Sequence, residues 1–230
     1  ADAFEEATDA GSEFIRVMGT PLSFDFLSTP VSPLQPVLER AVFVGRLAEE
    51  KGVSKILAAA SELPEINFAI AGDGPLRERV QAATRRQKNV EYLGWIDRSR
   101  VLQEIDSSQI LLLPSIFETF GTVALEALAR QRLVLASRNC GIGKWPSLAS
   151  GILYIESQET VADALRRVMA MPASERKAIA ASSWDSVCVF NDHSIRTWMK
   201  FLCDAAKNGR PEAGKLEKPT GKSERATQPR

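Results

Sequence analysis

The sequence predicts a doubly wound α/β domain with a parallel sheet, on three observations. Six short apolar runs recur with their starts about 20 to 26 residues apart, the length of one strand plus one helix. The segments between them carry apolar residues at helical spacing, as in Ile56, Leu57, Ala60 and Leu63, or Leu76, Val80 and Ala83. The runs are apolar throughout instead of alternating, so both faces of the sheet they form are covered by helices.

In order, the six strands are expected at residues 41–45, 67–72, 90–94, 109–114, 133–137 and 152–155. A helix is expected from near Lys51, and another after the turn Gly72-Asp73-Gly74-Pro75, with Pro75 at its first position. After the last strand come helices at 159–171, at 173 to about 184, and a separate one from about 192 to 206. Residues 1–40 divide into an acidic helix around Ala3, Phe4 and Ala7 and a proline-bearing linker (Pro21, Pro30, Pro33, Pro36), the remnant of a preceding domain. Residues 41–206 form the ligand-binding domain. Residues 207–230 hold seven basic and three acidic side chains and no aromatic, a disordered basic tail that cannot bury enough apolar area to offset its conformational entropy.

Composition narrows the function. With 230 residues, 44% apolar and 25% charged, the chain is neither collagenous, disulfide-scaffolded nor wholly disordered. Its 29 basic and 29 acidic residues cancel, so no whole-chain attraction to nucleic acid or anionic lipid follows. Apolar runs are far below the ~18 to 20 residues that span a bilayer, and the start has no signal-peptide pattern, which predicts a soluble cytoplasmic protein. The three cysteines, Cys140, Cys188 and Cys203, form no C-x-x-C pair and read as buried or inert thiols. A single histidine, His193, excludes a multi-histidine metal centre.

Chemistry concentrates where strands end, because ligands of such sheets bind at the carboxyl edge. After the first strand, Gly45 permits close backbone approach, Arg46 offers a planar fork of donors and Lys51 a point charge beside a helix start, three features that suit phosphate oxygens. The competing reading is a pair of solvated loop charges. The turn Leu93-Gly94-Trp95-Ile96 either holds a nucleobase or seats Trp95 on the next helix. After the fourth strand, Glu118 lies in a loop and Glu126 falls eight positions later inside an Ala/Leu-rich helix, where a buried carboxylate needs a donor partner, for which ligand hydroxyls are suitable. Between them the amides of Phe120, Gly121 and Thr122 open the helix toward an anion. Alternatively Glu118 caps that helix and Glu126 reaches solvent. No G-x-G-x-x-G or G-x-x-x-x-G-K-[ST] pattern occurs, which weakens dehydrogenase and P-loop readings.

Gly45-Arg46-Leu47 followed by Lys51-Gly52, then Gly72-Asp73-Gly74-Pro75, Leu93-Gly94, Pro114-Ser115 and the E-x7-E pair Glu118 and Glu126 together resemble the C-terminal, Rossmann-like domain of retaining GT-B glycosyltransferases, family 4 in particular. The resemblance covers about residues 40 to 200, and five motifs in this order make a specific signal. It implies a nucleotide-diphosphate-sugar donor, with UDP or GDP as carrier. Arg46 and Lys51 would hold the diphosphate, Glu118 the sugar hydroxyls and Glu126 the ribose; Phe120, Gly121 and Thr122 would attend the phosphate and sugar, and the base would rest by the backbone of Ile96. Glu118, Arg46 and Lys51 are the implied catalytic set, without metal or cofactor, since cations and amides placed where charge develops stabilise the leaving diphosphate. The chain departs from the family at Gln131-Arg132-Leu133, where Gly-x-Pro is usual, and at Asn139-Cys140-Gly141-Ile142-Gly143, where a paired glycine is usual.

What the resemblance implies is therefore the donor-binding half of an enzyme. Its partners are a sugar nucleotide and an N-terminal acceptor-binding domain, in cis or in trans; it also allows a peripheral membrane contact of the whole enzyme, and no nucleic acid. Two rivals stand beside it. A non-catalytic sugar-nucleotide-binding module of the same fold would tolerate loss of Arg46, Lys51, Glu118 and Glu126, which are intact. A response-regulator-like domain needs an acidic cluster at the end of its first strand, where this chain has Gly45-Arg46.

Overall fold

A computed structural model describes residues 18–207; the expected acidic helix at the start and the basic tail at the end lie outside the described residues, apart from residue 207 itself, which ends a helix. The strands are β1 Arg40–Val44, β2 Asn67–Ala71, β3 Val90–Gly94, β4 Ile110–Leu113, β5 Leu133–Ser137 and β6 Ile152–Ile155, each within one residue of expectation. The helices are α1 Phe24–Ser28, α2 Val53–Glu62, α3 Arg77–Arg86, α4 Arg98–Asp106, α5 Thr122–Ala129, α6 Pro146–Ala149, α7 Val161–Ala170 and α8 Ala173–Lys207, with short 3-10 turns at Glu49–Lys51 and Gly141–Lys144.

All pairings are parallel, and the strand order is β3-β2-β1-β4-β5-β6. Odd and even residues of each strand face opposite layers. Phe43, Phe68, Ile70, Ile110, Leu112 and Leu135 pack with α2, α3 and α7, whereas Val42, Ala69, Leu111, Val134 and Ala136 pack with α1, α4, α5 and α8. The chain winds outward from β1 in one direction and from β4 in the other. Neighbouring β1 and β4 therefore send their following loops to opposite faces and leave a crevice between them, the switch point where ligands of open parallel sheets bind.

Four expectations are corrected. The helices expected at 173–184 and 192–206 are one helix, α8. Its middle is rich in β-branched and polar residues but has neither Gly nor Pro, and the buried Val187 and Phe190 hold it against the domain. Pro75 lies two residues before α3, because the Leu76 amide is tied to the Leu47 carbonyl, 2.9 Å, and delays the first turn. Cys140 is buried and Cys188 half-buried, yet Cys203 is exposed on α8. Lastly, residues 18–38 lie as a strap along the domain. Phe26 of α1 is fully buried, and three arginines with almost no exposure bind the strap's carbonyls: Arg130 those of Phe26, Thr29 and Pro30, Arg132 that of Ser32, and Arg176 that of Pro36. Gln131, between two of these clamps, is held at φ 52° in the left-handed region, the position where the family pattern has glycine.

Candidate functional site

Two loops build the floor of the crevice. After β1, the chain makes the 3-10 turn Glu49–Lys51, and Gly52 starts α2. After β4, the amide of Ile116 bonds the Glu50 carbonyl, 2.8 Å, which ties the two loops together across the switch point. The tie brings the Lys51 ammonium to Glu118 Oε2 at 2.5 Å, with both side chains mostly buried. Lys51 is therefore not a solvated loop charge, and Glu118 does not cap α5. Arg46 stands apart from that pair: its guanidinium is 65% exposed and lies 3.8 Å from Glu50.

Gly121 is the N-cap of α5, at φ 88°, and no side chain caps the first turn. A Cβ there would sit 2.8 Å from the Leu113 side chain and would have to adopt a left-handed backbone, so only glycine fits without rearrangement. Behind it the Phe120 ring stacks on Phe190 at 5.7 Å, and Trp145 meets both edge-on. This aromatic trio packs behind the start of α5, whose opening amides, apart from that of Ala124 bonded to the Gly121 carbonyl at 2.8 Å, offer an anion the positive end of a helix.

Glu126 lies one turn into α5 and is 7% exposed, so the reading in which it reaches solvent falls. Its partner is Arg98 at the start of α4, 3.2 Å from Oε1. Burial pushes the Glu126 carboxyl above the ordinary carboxylate range, and the hydrogen bond and charge of Arg98 pull it back part of the way. Nothing in the sequence signalled this pairing, which depends on where α4 crosses α5.

A hollow of about 280 Å³ opens at the ends of β1, β2 and β3, lined by Gly45, Arg46, Gly72, Asp73, Trp95 and Ile96. It gathers three of the expected site residues, Gly45, Arg46 and Ile96. Trp95 is 77% exposed and stands at its rim instead of being seated on α4. A larger cavity of about 580 Å³ lies between α2, the ends of β5 and β6 and the start of α7. Its carboxylates Glu62, Glu156 and Glu159 are each neutralised by an arginine, Arg166, Arg138 and Arg167. It brings together none of the expected site residues, so the switch-point crevice is the better candidate.

The loop after β5 completes the site. The Gly141 amide bonds the Glu118 carbonyl and the Ile142 amide the Phe120 carbonyl, both at 2.9 Å, so this loop and the Glu118 loop run side by side as a short parallel bridge. Among the described residues no cluster of three or more His, Cys, Asp or Glu gathers as a metal site, and no helix is long and apolar enough to cross a membrane.

A doubly wound sheet with strand order 3-2-1-4-5-6 defines a Rossmann-like α/β domain, with a cation–carboxylate pair and an uncapped helix start meeting at its switch point. Residues 32–183 match the family model described as glycosyl transferases group 1, and the chain belongs to that family. It is 31% identical over 140 residues to an alpha-D-kanosaminyltransferase of Streptomyces kanamyceticus, covering 57% of this chain and 36% of the relative. It is likewise 31% identical over 144 residues to a GDP-mannose-dependent alpha-(1-6)-phosphatidylinositol dimannoside mannosyltransferase of Mycobacterium tuberculosis, covering 60% and 38%. Among solved structures, a sucrose-phosphate synthase of Thermosynechococcus elongatus superposes with a TM-score of 0.72 at 21% identity, over 90% of this chain and 56% of that one. The lipopolysaccharide glycosyltransferase WaaG gives 0.68 at 19% identity, over 81% and 55%. The matched part of the chain thus spans little more than a third of the curated relatives' length.

Proposed function

We propose that this chain is the donor-binding half of a retaining glycosyltransferase of family 4, working in the cytoplasm, that transfers a sugar from a nucleotide-diphosphate sugar to an acceptor hydroxyl. The observation that carries the reading is the mostly buried Lys51–Glu118 pair beside the uncapped start of α5, with the buried Glu126 eight residues further on. On this reading Lys51, Arg46 and the amides from Phe120 to Thr122 bind the diphosphate. Glu118 takes the sugar hydroxyls, Glu126 the ribose, and the hollow at Gly45 and Ile96 the base. In transfer, the bond from the anomeric carbon to the β-phosphate oxygen breaks and its electron pair leaves on the diphosphate. The acceptor oxygen bonds the same carbon, and its proton passes to the departing phosphate. The cations and helix amides lower the cost of the charge that develops there.

A second, N-terminal domain supplies the acceptor site, and α8 gives support for a domain docking here. Ile195, Trp198, Met199 and Leu202 fall on one face at helical spacing and are all more than a third exposed. Closure of two domains positions the reactants, which contributes on the order of 7 to 11 kcal/mol to lowering the barrier. This chain by itself then binds donor without turnover, and efficient transfer to an external acceptor by this chain alone would overturn that part.

Calorimetry with a nucleoside diphosphate and the matching sugar nucleotide tests the site. Glu126→Gln weakens both ligands, because both contain ribose, whereas Glu118→Gln weakens only the sugar nucleotide. Equal losses for both ligands in Glu118→Gln would show that the roles are wrongly assigned.

A further inference from the structure

Glu126 carries a demand that α5 cannot meet by itself. A carboxylate that accepts from two ribose hydroxyls has to be charged and turned toward them, yet this one lies inside an apolar helix where burial favours its protonated form. Arg98 is the charged side chain that acts on it among the described residues. Arg130, which follows the last residue of α5, is turned away to Asp106, and Asp97, the residue before Arg98, accepts from the Arg100 amide and the Ser99 hydroxyl.

Arg98 is itself held from two sides. Its guanidinium lies 5.8 Å from the ring centroid of the buried Phe26, within the range of a cation–π contact, while Nη2 donates to Glu126 Oε1. The second carboxylate oxygen, Oε2, receives no donor from the described residues and is left for a ligand. Arg98 also follows Ile96 by two residues, so the turn proposed to meet the base carries the partner of the ribose carboxylate.

We propose that Arg98 is a positioning residue for ribose recognition, holding Glu126 charged and turned so that one oxygen meets the guanidinium and the other meets the ribose hydroxyls. The inference rests on the ribose reading of Glu126 given above. It adds a residue outside the E-x7-E pair and ties donor recognition to the strap, through Phe26.

The test is calorimetric titration with UDP and GDP, each beside its 2′,3′-dideoxy counterpart, on the wild type, Glu126→Gln, Arg98→Gln and Arg98→Lys. The wild type should prefer the ribose form roughly 10- to 100-fold, and Glu126→Gln should abolish that preference. Arg98→Gln should lose roughly 3- to 10-fold of the preference near neutral pH and more at about pH 5.5, while Arg98→Lys keeps most of it. Neither Arg98 variant should change affinity for the dideoxy ligands. An Arg98→Gln loss equal for ribose and dideoxy forms, or with no steeper dependence on pH than the wild type, would overturn the inference. If Glu126→Gln keeps the full preference, the ribose reading itself fails. If Glu126→Gln loses it and Arg98→Gln does not, the role of Arg98 alone is wrong.

Discussion

The crevice and the strap use the same side chain in opposite ways. At the crevice, Arg46 is 65% exposed and has only a loose neighbour, Glu50 at 3.8 Å. Under the strap, Arg130 is wholly buried and fully engaged: Nε and Nη2 take both oxygens of Asp106 at 2.8 and 2.7 Å, and three backbone carbonyls take the remaining donors. A guanidinium withdrawn from water is costly unless its donors find acceptors, and Arg130, with every donor engaged, has nothing to offer a ligand. One left in water costs the fold little and keeps its donors free for an incoming phosphate. The comparison separates arginines that hold the domain together from those available for binding.

The largest effect should come from breaking the strap. Arg130→Ala strips Asp106 of both its hydrogen bonds from Arg130, leaving only the distant Arg132 at 3.9 Å, frees three carbonyls, and should cost about 3 to 5 kcal/mol in urea unfolding. A cost below about 1 kcal/mol would mean that strap and crevice arginines are not so different after all. The converse at the crevice is Arg46→Ala or Lys51→Ala, each expected to weaken nucleoside diphosphate binding on the order of 10- to 100-fold by calorimetry. Arg46→Ala should leave unfolding within about 0.5 kcal/mol of the wild type. Unchanged affinity in both variants would remove the phosphate role.

Two smaller effects sharpen the contrast. The folded-state pKa of Glu126 is raised by burial, so between the unfolded value, about 4.3, and the higher folded value the native protein holds the proton more firmly than the unfolded chain. Stability contributed by this proton is present at low pH and is lost as pH rises through that window. Glu126→Gln without ligand should therefore show a higher Tm than the wild type at neutral pH, and the gap should close below about pH 4. A site residue retained against stability would be the opposite of Arg130. A lower Tm for Glu126→Gln would contradict this. Gln131→Gly relieves a left-handed non-glycine residue at the strap and should stabilise by about 0.5 to 1 kcal/mol, a rise of about 2 °C.

The sheet was legible because five of the six apolar runs end in a glycine, proline or serine that marks the strand end, and β3, β5 and β6 match their expected bounds without change. Glu118 and Glu126 were legible for a related reason: counting from a strand end fixes which residue falls in the loop and which inside the helix. The strap was not, since α1 is anchored by Arg130 roughly 100 residues away, and no local periodicity reports such a contact. The Lys51–Glu118 and Arg98–Glu126 pairs were hidden likewise, 67 and 28 residues apart. Continuity of α8 was missed because local propensity in its middle is weak, and burial of Val187 and Phe190 overrides it.

The bridge between the Glu118 loop and the loop after β5 is made by main-chain groups, and at Gly141 a Cβ would collide with the Thr119 carbonyl. Two backbones locked at such close quarters keep their spacing whatever side chains their neighbours carry. The exposed Asn139 and Lys144 can thus be exchanged without dislodging Glu118, while Gly141 cannot. The surface beside Glu118 can therefore change its side chains one at a time while the frame of the site stays intact.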